Sequence, residues 1–346
     1  MLNTNLIPEK ILIIRLSSIG DIILSFPLIM ELKDKYPDCE IDYLVAKKYR
    51  ELLYPVSQML NNILTFNKNR GDSRLIKFRK KIKQNNYDWI LDLHNKPRSW
   101  ILTIFPASKT FRVNKYQIKR WLYIKFGWGY YPEIPVYQKY FNTVPEVIQE
   151  TENWYLKDCR NRAIKSKLYD KYPVLNQNKP VILIFPGAKH KTKQWPLPRY
   201  LKLINKIIKE TDWIVILSGD QKDARDVSRQ FDNERIVNAC GKYNLIETMC
   251  LVSLCDIVIS NDSGPMHMAS VFHKPQIAIF GSTVPRFGFK PYNDKATIIE
   301  NKNLKCRPCS HLGYDKCPRS HFQCMRAITV SRIFKELSNL TKLLNN

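Results

Sequence analysis

Ile257–His267 (IVISNDSGPMH) runs from an apolar, β-branched segment through a turn of Asn, Asp, Ser and Gly into a segment of helical character. The first half of the chain holds a comparable stretch, Ile11–Asp21 (ILIIRLSSIGD). A strand that ends in such a turn and opens a helix presents unpaired N–H groups and partial positive charge to a ligand. Because each half carries one such turn, we expect two α/β domains with a binding cleft between them.

Apolar runs of strand length alternate with segments of helical length along both halves of the chain. This alternation indicates βαβ units and therefore an α/β fold with parallel sheets. Residues 115–158 are predicted to be mostly helical, with loops at the prolines. The other predicted helices are 20–35, 46–54, 73–85, 96–104, 197–210, 221–231, 244–253, 265–272 and 329–344. The predicted strands are 10–16, 40–45, 62–66, 87–93, 109–113, 180–185, 212–218, 235–237, 255–260, 275–280 and 296–299.

The length of 346 residues is sufficient for two domains that each bury a core. Residues 171–180 contain two prolines and several polar residues before a new strand, which is typical of a linker. We therefore predict an N-terminal domain over 1–172 and a C-terminal domain over 179–328. A terminal helix over 329–346 is expected to pack back on the N-terminal domain.

The chain is strongly basic, with 56 Lys and Arg against 31 acidic residues and a formal net charge of +25. Such an excess attracts polyanions, which include nucleic acid, anionic lipid headgroups and phosphorylated glycans. Nucleic acid is not the expected partner, because the sequence has no helix-turn-helix, RNP-type or zinc-finger pattern. We find no uncharged apolar run near the ~18 residues of a membrane span and no signal peptide, so the expected location is the cytoplasm.

Several blocks of the sequence resemble, in the same order, the bacterial lipopolysaccharide heptosyltransferases of glycosyltransferase family 9. The blocks are RLSSIGDIILSFPLIMELKDKYPDCEIDYLV (15–45), FPGAKHKTKQWPLPRY (185–200), ILSGDQKDARD (216–226) and the run from CGKYNLIETMC to GSTVPRFGF (240–289). The resemblance implies the GT-B architecture, in which two Rossmann-like domains face each other across a cleft. It implies that the N-terminal domain (1–172) binds the acceptor and that the C-terminal domain (179–328) binds the nucleotide sugar. It also implies an inverting, metal-independent transfer of heptose from ADP-heptose to a lipid-linked lipopolysaccharide core acceptor, with no cofactor. Because that acceptor is anchored in the inner leaflet, we expect the protein to lie at the anionic inner face of the cytoplasmic membrane.

Two residues are candidates for the catalytic roles. Inverting transfer needs a base for the acceptor hydroxyl and a cation for the departing diphosphate. Asp21 matches the residue that the family is proposed to use as base, although its place after Gly20 also fits a helix-capping acid. Lys193 falls on the family's Lys-x-Trp-Pro pattern with Trp195 and Pro196, although most basic loops of this kind are simply solvated. The predicted catalytic residues are therefore Asp21 and Lys193.

The second turn is expected to contact the donor. Backbone N–H groups of Ser263 and Gly264 suit the diphosphate, and the resemblance implies that Asp262 contacts the heptose hydroxyls. His267 either faces the phosphates or has a structural role. Family members often carry Glu near Gln221, so the ribose contact is weakened or passes to the preceding aspartate, and helix capping is an equal alternative for both. The predicted donor-binding residues are Thr192, Asp220, Gln221, Asp262, Ser263, Gly264 and His267.

The acceptor contacts are predicted from the first turn and from basic residues of the middle segment. In Lys115–Tyr131 (KYQIKRWLYIKFGWGYY), basic and aromatic residues are interleaved in a way that suits an anionic membrane interface. The equal alternative is a helix with its aromatic residues in the core and its lysines in solvent. The predicted acceptor-binding residues are Ser18, Gly20, Arg98, Arg112, Lys119 and Arg120.

Four of the nine cysteines cluster near the C-terminus, at Cys306, Cys309, Cys317 and Cys324. Their spacing is compatible with reduced thiols, with a structural metal site or with two disulfides, and a cytoplasmic location disfavours disulfides. The other five cysteines lie in apolar or helical runs and are predicted to be small buried apolar residues.

Two further functions remain open. One is a transferase of the same architecture that uses another nucleotide sugar. The other is a nucleic-acid-binding or polyanion-binding protein that retains a degenerate transferase fold. A pure binding protein would not need Asp21, Lys193 and Asp262 together, so this set of residues favours an enzyme.

Overall fold

The computed structural model describes residues 7–67, 73–104, 109–127, 131–144, 154–223 and 233–344. The chain divides into two compact units. The first unit comprises Met1–Lys115 and Val136–Trp154, and the second comprises Tyr116–Pro135 and Tyr155–Asn346.

The first unit is built on a parallel sheet of five strands in the order β3-β2-β1-β4-β5. The central strand β1 is apolar because it is covered on both faces, and Ile11–Ile14 are fully buried. The strands are β1 (Lys10–Ile14), β2 (Glu40–Ala46), β3 (Asn62–Phe66), β4 (Trp89–Asp92) and β5 (Lys109–Arg112). The helices are α1 (Ile19–Ile23), α2 (Phe26–Lys35), α3 (Ser73–Gln84), α4 (Pro97–Thr103) and, after α5 of the second unit, α6 (Val136–Phe141).

The second unit is built on a parallel sheet of six strands in the order β11-β10-β9-β6-β7-β8. Trp195 and Tyr200 join its aliphatic core and are fully buried. Its strands are β6 (Val181–Phe185), β7 (Ile214–Leu217), β8 (Ile236–Asn238), β9 (Ile257–Asn261), β10 (Gln276–Phe280) and β11 (Ala296–Glu300). Its helices are α5 (Gln117–Phe126), α7 (Arg162–Lys171), α8 (Leu197–Glu210), α9 (Leu245–Leu254), α10 (Gly264–Val271), α11 (Gln323–Arg326) and α12 (Val330–Lys342).

The predicted α/β fold with two parallel sheets is confirmed, and each predicted strand is present. The predicted helix 46–54 is instead a 3-10 segment over Lys47–Met59, with a proline inside it. Most of the predicted helix 221–231 and parts of the segment 115–158 lie outside the described residues. Within the described part of the chain, no helix combines the length and apolarity needed to cross a bilayer.

The division into units differs from the predicted boundary between residues 172 and 179. Residues 155–171 group with the second unit, because α7 packs against α9 and a disulfide joins Cys159 to Cys250. This disulfide corrects the expectation that both cysteines are free. Helix α5 also groups with the second unit, although it comes before α6 of the first.

The terminal helix α12 packs on α8 and on strand β10, both in the second unit. Its buried residues Ile333, Leu337 and Leu340 belong to the same core as Trp195. The apolar face of α12 is therefore used inside the second unit, which differs from the expectation that it packs on the N-terminal domain. Sequence periodicity identified the amphipathic helix but could not identify its partner.

Replacing Leu337, a fully buried residue of α12, tests this packing. The change Leu337→Ala should lower the free energy of unfolding by about 2–5 kcal/mol, because it leaves a cavity in the core. The matched control is Leu343→Ala, since Leu343 is 65% exposed at the end of the helix. Urea titration followed by circular dichroism measures both variants. Equal stability of the two variants would show that α12 is not part of the core.

Candidate active site

Asp21 lies in the first turn of α1, directly after the carboxyl end of the central strand β1. Its Oδ1 forms an ion pair with the Arg15 guanidinium at 2.5 Å. Its Oδ2 accepts hydrogen bonds from the Ser18 backbone N–H at 3.1 Å and from the Ser18 hydroxyl at 2.6 Å. The side chains of Arg15 and Asp21 are only 7% and 15% exposed. Asp21 therefore caps the helix and also forms the centre of a nearly buried ion pair.

These contacts determine the ionisation of Asp21. Burial alone would raise the pKa of the carboxyl group, but the charge of Arg15 and the two Ser18 hydrogen bonds outweigh burial and lower it. The carboxylate is consequently ionised at neutral pH and can accept a proton. Arg15 also donates a hydrogen bond to the Leu93 carbonyl oxygen, which fixes the guanidinium between two neighbouring strands.

A titratable lysine completes the charged surroundings of Asp21. Burial, together with the nearby charge of Arg15, lowers the pKa of Lys115 to about 7. Its ammonium group donates a hydrogen bond to the His94 carbonyl oxygen. The Tyr140 hydroxyl, from α6, donates to the Asp21 carbonyl oxygen at 3.4 Å. Apart from Asp21, none of these groups was predicted as a site residue.

The predicted acceptor residues are divided between the two units. Ser18 and Gly20 lie beside Asp21, as expected, and Arg98 is exposed on α4. Arg112 donates to the Thr103 hydroxyl at 2.8 Å and lies 3.8 Å from the fully buried carboxylate of Asp92. The remaining two predicted residues belong to a different unit, because Lys119 and Arg120 are on α5.

The second charged centre lies after the carboxyl end of β9, the strand that precedes α10. The Lys193 ammonium group forms an ion pair with Asp262 Oδ2 at 2.7 Å. The Thr283 hydroxyl donates to the same oxygen at 2.6 Å. The side chains of Lys193 and Asp262 are 16% and 7% exposed, so this cluster is largely shielded from water. Ser263 and Gly264 follow directly as the N-cap and first residue of α10.

Asn261 fixes the position of the Lys193 loop. Its Oδ1 accepts hydrogen bonds from the Trp195 backbone N–H at 2.9 Å and from the Tyr200 hydroxyl at 3.2 Å. Its Nδ2 donates to the Pro186 carbonyl oxygen at 2.8 Å. Asn261 is fully buried, so these bonds form in a low-dielectric environment. They attach the ends of the loop between β6 and α8 to the end of β9.

Thr192, a predicted donor residue, hydrogen-bonds to two other loops. Its hydroxyl accepts hydrogen bonds from the Tyr314 N–H at 2.7 Å and from the Ser282 hydroxyl at 2.9 Å. Its backbone N–H donates to the Tyr314 carbonyl oxygen at 2.9 Å. The residue is 2% exposed and joins these loops.

The other predicted donor residues lie after strand β7 and in helix α10. Gln221 donates to the Gly241 carbonyl oxygen at 2.7 Å, and Gly241 adopts a positive φ of 69°. This bond joins the loops after β7 and β8. Asp220 accepts from the N–H groups of Lys222 and Asp223, which is the capping alternative. His267 is 3% exposed within α10.

The four clustered cysteines are free thiols, which overturns the disulfide alternative for them. Cys306 Sγ lies 3.6 Å from His321 Nε2. Burial raises the pKa of Cys324 to about 11. Among the residues that the structure describes, no group of three or more His, Cys, Asp and Glu side chains is arranged to hold a metal ion.

Two parallel-sheet units, each with a charged pair after the carboxyl end of a strand, place the protein in the α/β class. The sequence profile of Glycosyltransferase family 9 (heptosyltransferase) matches residues 75–316. The chain therefore belongs to this family and is an enzyme. It is 29% identical over 332 residues to Lipooligosaccharide heptosyltransferase 2 of Haemophilus influenzae, covering 86% of this chain and 91% of that protein.

Solved structures of the family share the fold. The ADP-heptose lps heptosyltransferase II of E. coli has a TM-score of 0.72 and 23% identity, covering 97% of this chain and 100% of that one. The glycosyl transferase family 9 protein of Veillonella parvula has a TM-score of 0.74 and 18% identity, covering 98% of both chains. At these identities the likeness establishes the fold alone.

A double-mutant cycle tests the coupling of Arg15 and Asp21. Arg15→Met should lower the free energy of unfolding by about 3–5 kcal/mol at neutral pH, because it leaves a buried carboxylate without its counter-ion. Adding Asp21→Asn should recover part of this loss, so the two changes are not additive. Because folding lowers the pKa of Asp21, the contribution of the pair should persist at neutral pH and disappear as the pH falls through the folded-state pKa.

The exposed ion pair between Lys10 and Glu40, at 3.0 Å, is the control for this cycle. Its coupling should not exceed about 1 kcal/mol, since solvent screens both charges. Urea titrations at neutral and acidic pH measure both cycles. Additive losses at Arg15 and Asp21 would contradict the assigned coupling.

Proposed function

We propose that this enzyme transfers heptose from ADP-heptose to the inner core of a lipopolysaccharide acceptor, with inversion at the anomeric carbon and without a catalytic metal. The donor and acceptor are those named for similar proteins, the lipooligosaccharide heptosyltransferase of H. influenzae and the ADP-heptose enzyme of E. coli. The observation that carries the proposal is the Lys193–Asp262–Thr283 cluster before α10. It offers a cation, a hydroxyl-binding carboxylate and helix N–H groups at one place.

The proton transfer is assigned to Asp21. As the acceptor oxygen bonds to the anomeric carbon of heptose, its proton passes to the ionised Asp21 carboxylate. The bond between the anomeric carbon and the diphosphate oxygen breaks on the opposite face, which inverts the configuration. Arg15 keeps the carboxylate ionised and oriented before the acceptor binds. Because the ion pair also lowers the basicity of Asp21, the acceptor hydroxyl must bind within hydrogen-bond distance of the Asp21 carboxylate for its proton to be transferred directly.

We assign stabilisation of the departing ADP to Lys193 and to the N-terminus of α10. A lysine ammonium group has three donors, and Asp262 accepts one of them. The others can contact the diphosphate, whose negative charge increases as the glycosidic bond breaks. The N–H groups at Ser263 and Gly264 lie at the positive end of the helix and add to this stabilisation. This arrangement supplies positive charge without requiring a divalent ion.

Substitutions of Asp21 and Lys193 should separate proton transfer from donor binding. Asp21→Asn should reduce kcat by at least about 100-fold, since it removes the base, and should leave the Kd for ADP-heptose nearly unchanged. Lys193→Gln should weaken donor binding and also reduce kcat, because Lys193 is expected to contact the diphosphate before and during bond cleavage. Titration calorimetry and a radiolabelled transfer assay measure the two effects.

The control for Lys193 is Lys191→Gln, which removes an exposed lysine two residues away. It should change neither donor affinity nor kcat by more than about twofold. A wild-type rate in Asp21→Asn would refute the assignment of the base. Inhibition by chelators that a divalent ion reverses would refute the metal-independent mechanism. Tighter binding of UDP- or GDP-sugars than of ADP-heptose would identify another donor.

We further propose that the enzyme acts on the cytoplasmic face of the inner membrane and contacts it through α5. None of the ten residues of this helix is buried. Ile118, Trp121 and Phe126 are 76%, 53% and 46% exposed, so these aromatic and aliphatic side chains do not belong to a core. Lys119 and Lys125 lie on the same helix and supply attraction to anionic headgroups. These exposures favour the interface alternative over the core alternative.

Vesicle binding tests the role of α5. The double change Ile118→Ser and Trp121→Ser should weaken binding to phosphatidylglycerol vesicles about tenfold or more, because two side chains can no longer enter the interface. The matched control replaces Leu343 and Leu344, which are 65% and 39% exposed, with serine. Activity on a short soluble acceptor should survive in both double variants.

Wild-type binding to these vesicles should also weaken as salt is added. Equal loss of vesicle binding in the two double variants would contradict a specific role for α5. Tighter binding to duplex DNA than to anionic vesicles would instead favour the polyanion-binding alternative.

A further inference from the structure

A cavity of about 570 Å³ lies in the second unit, between the C-terminal end of α5 and the cysteine-containing loop. Its size is in the range of sites that take small organic ligands. One wall consists of Tyr123–Gly127, and the opposite wall consists of Lys305–Cys309, Tyr314, Pro318 and Arg319. The cavity lining combines aromatic side chains with cations, and none of its described residues carries a carboxylate.

The charges around this cavity are not balanced. Arg307 is neutralised, because its guanidinium is 2.8 Å from the Glu300 carboxylate and also donates to backbone oxygens. In contrast, Lys125, Lys305 and Arg319 have no carboxylate within ion-pair distance among the described residues. Three unneutralised cations around one concave surface attract an anion, and their attraction is consistent with the basic character of the whole chain.

The wall of the cavity is connected to the Lys193 loop. Tyr314 exchanges two hydrogen bonds with Thr192, the residue directly before Lys193. At the adjacent Gly313, with a φ of 100°, an added Cβ would lie 2.8 Å from His190 Cβ and 3.0 Å from Lys193 Cγ. The cavity therefore lies next to the segment that carries the proposed leaving-group cation.

We propose that this cavity binds an anionic sugar of the acceptor, a sugar ring that carries a phosphate. Lys305 and Arg319 contact the phosphate, while Tyr123, Phe126 and Tyr314 offer ring surfaces to the C–H faces of the sugar. The C-terminal end of α5, the helix of the proposed membrane contact, itself forms part of the lining. This inference rests on the proposed function, since it specifies how the same enzyme holds a membrane-borne acceptor.

The direct test is binding of a phosphorylated glucosamine disaccharide, compared with the same disaccharide without phosphate. The double variant Lys305→Gln and Arg319→Gln should weaken binding of the phosphorylated form about tenfold or more, because it removes two charge-assisted contacts. The control is Lys302→Gln with Lys316→Gln, which removes the same charge from exposed positions outside the cavity. The control should change this affinity by less than about twofold.

Transfer kinetics give a second readout. For a phosphorylated acceptor, the cavity double variant should raise KM about tenfold and leave kcat within about twofold, because the cavity does not supply the base. If the wild-type enzyme binds the phosphorylated disaccharide more tightly than the unphosphorylated one but transfers no heptose to any acceptor, the proposed function is refuted and the cavity assignment stands. Equal losses of binding in the cavity and control variants would overturn the cavity assignment.

A third arm separates the sources of the phosphate. Phosphatidylglycerol vesicles carry phosphate without an attached sugar ring of the acceptor type. If the cavity variant loses vesicle binding but keeps the affinity for the phosphorylated disaccharide, the cavity takes a phospholipid headgroup and the proposal is wrong. If the cavity variant loses affinity for the phosphorylated disaccharide and keeps vesicle binding, the result supports the assignment of the cavity to a phosphorylated sugar. Thermal unfolding of each variant verifies that the fold is retained.

Discussion

The hydrogen bonds of Asn261 are the constraint on which the donor side of the enzyme depends. Parallel strands end at the same edge of a sheet, so the segments that follow β6 and β9 start close together. Asn261 converts this proximity into a fixed geometry, because its amide group bonds both to Pro186 and to the backbone of Trp195. Trp195 in turn donates from its indole nitrogen to the Ile328 carbonyl oxygen, at the start of the terminal segment. Lys193 is thus carried on a loop that is held at both ends.

The first unit also has a charged pair after the carboxyl end of its central strand, formed by Arg15 and Asp21. Arg15 occurs at the end of an otherwise apolar run, and the structure explains this exception, because its guanidinium is buried against the Asp21 carboxylate. A nearly buried ion pair contributes little net stability unless its geometry is well satisfied. Here Ser18 and the Leu93 carbonyl oxygen supply the additional hydrogen bonds. The arrangement therefore maintains an ionised carboxylate in a place where burial alone would favour the neutral acid.

The sequence was sufficient for those features that depend on local pattern. Apolar runs separated by helical segments predicted the parallel sheets, and the turns after β1 and β9 identified Asp21 and Asp262. The pairings that connect distant residues could not be predicted. Nothing local indicates that Cys159 and Cys250 are joined, or that α5 groups with the second unit. Nothing local indicates that the Thr192 hydroxyl accepts hydrogen bonds from Tyr314 and Ser282. Arg15 interrupts an apolar run of the sequence, and its charge was the available signal for a buried partner.

The ion pair of Lys193 with Asp262 explains how a cationic site can exist before the donor is present. The Asp262 carboxylate, which also accepts a hydrogen bond from the Thr283 hydroxyl, gives the largely shielded Lys193 ammonium group a fixed polar partner. An arriving diphosphate can share the same ammonium group, since one carboxylate does not use all three donors. Asp262 remains able to accept a hydrogen bond from a sugar hydroxyl through its other oxygen. The same contact that holds Lys193 in the free enzyme therefore places the proposed sugar-binding carboxylate next to the proposed phosphate-binding cation, an arrangement that suits transfer of a sugar from a diphosphate.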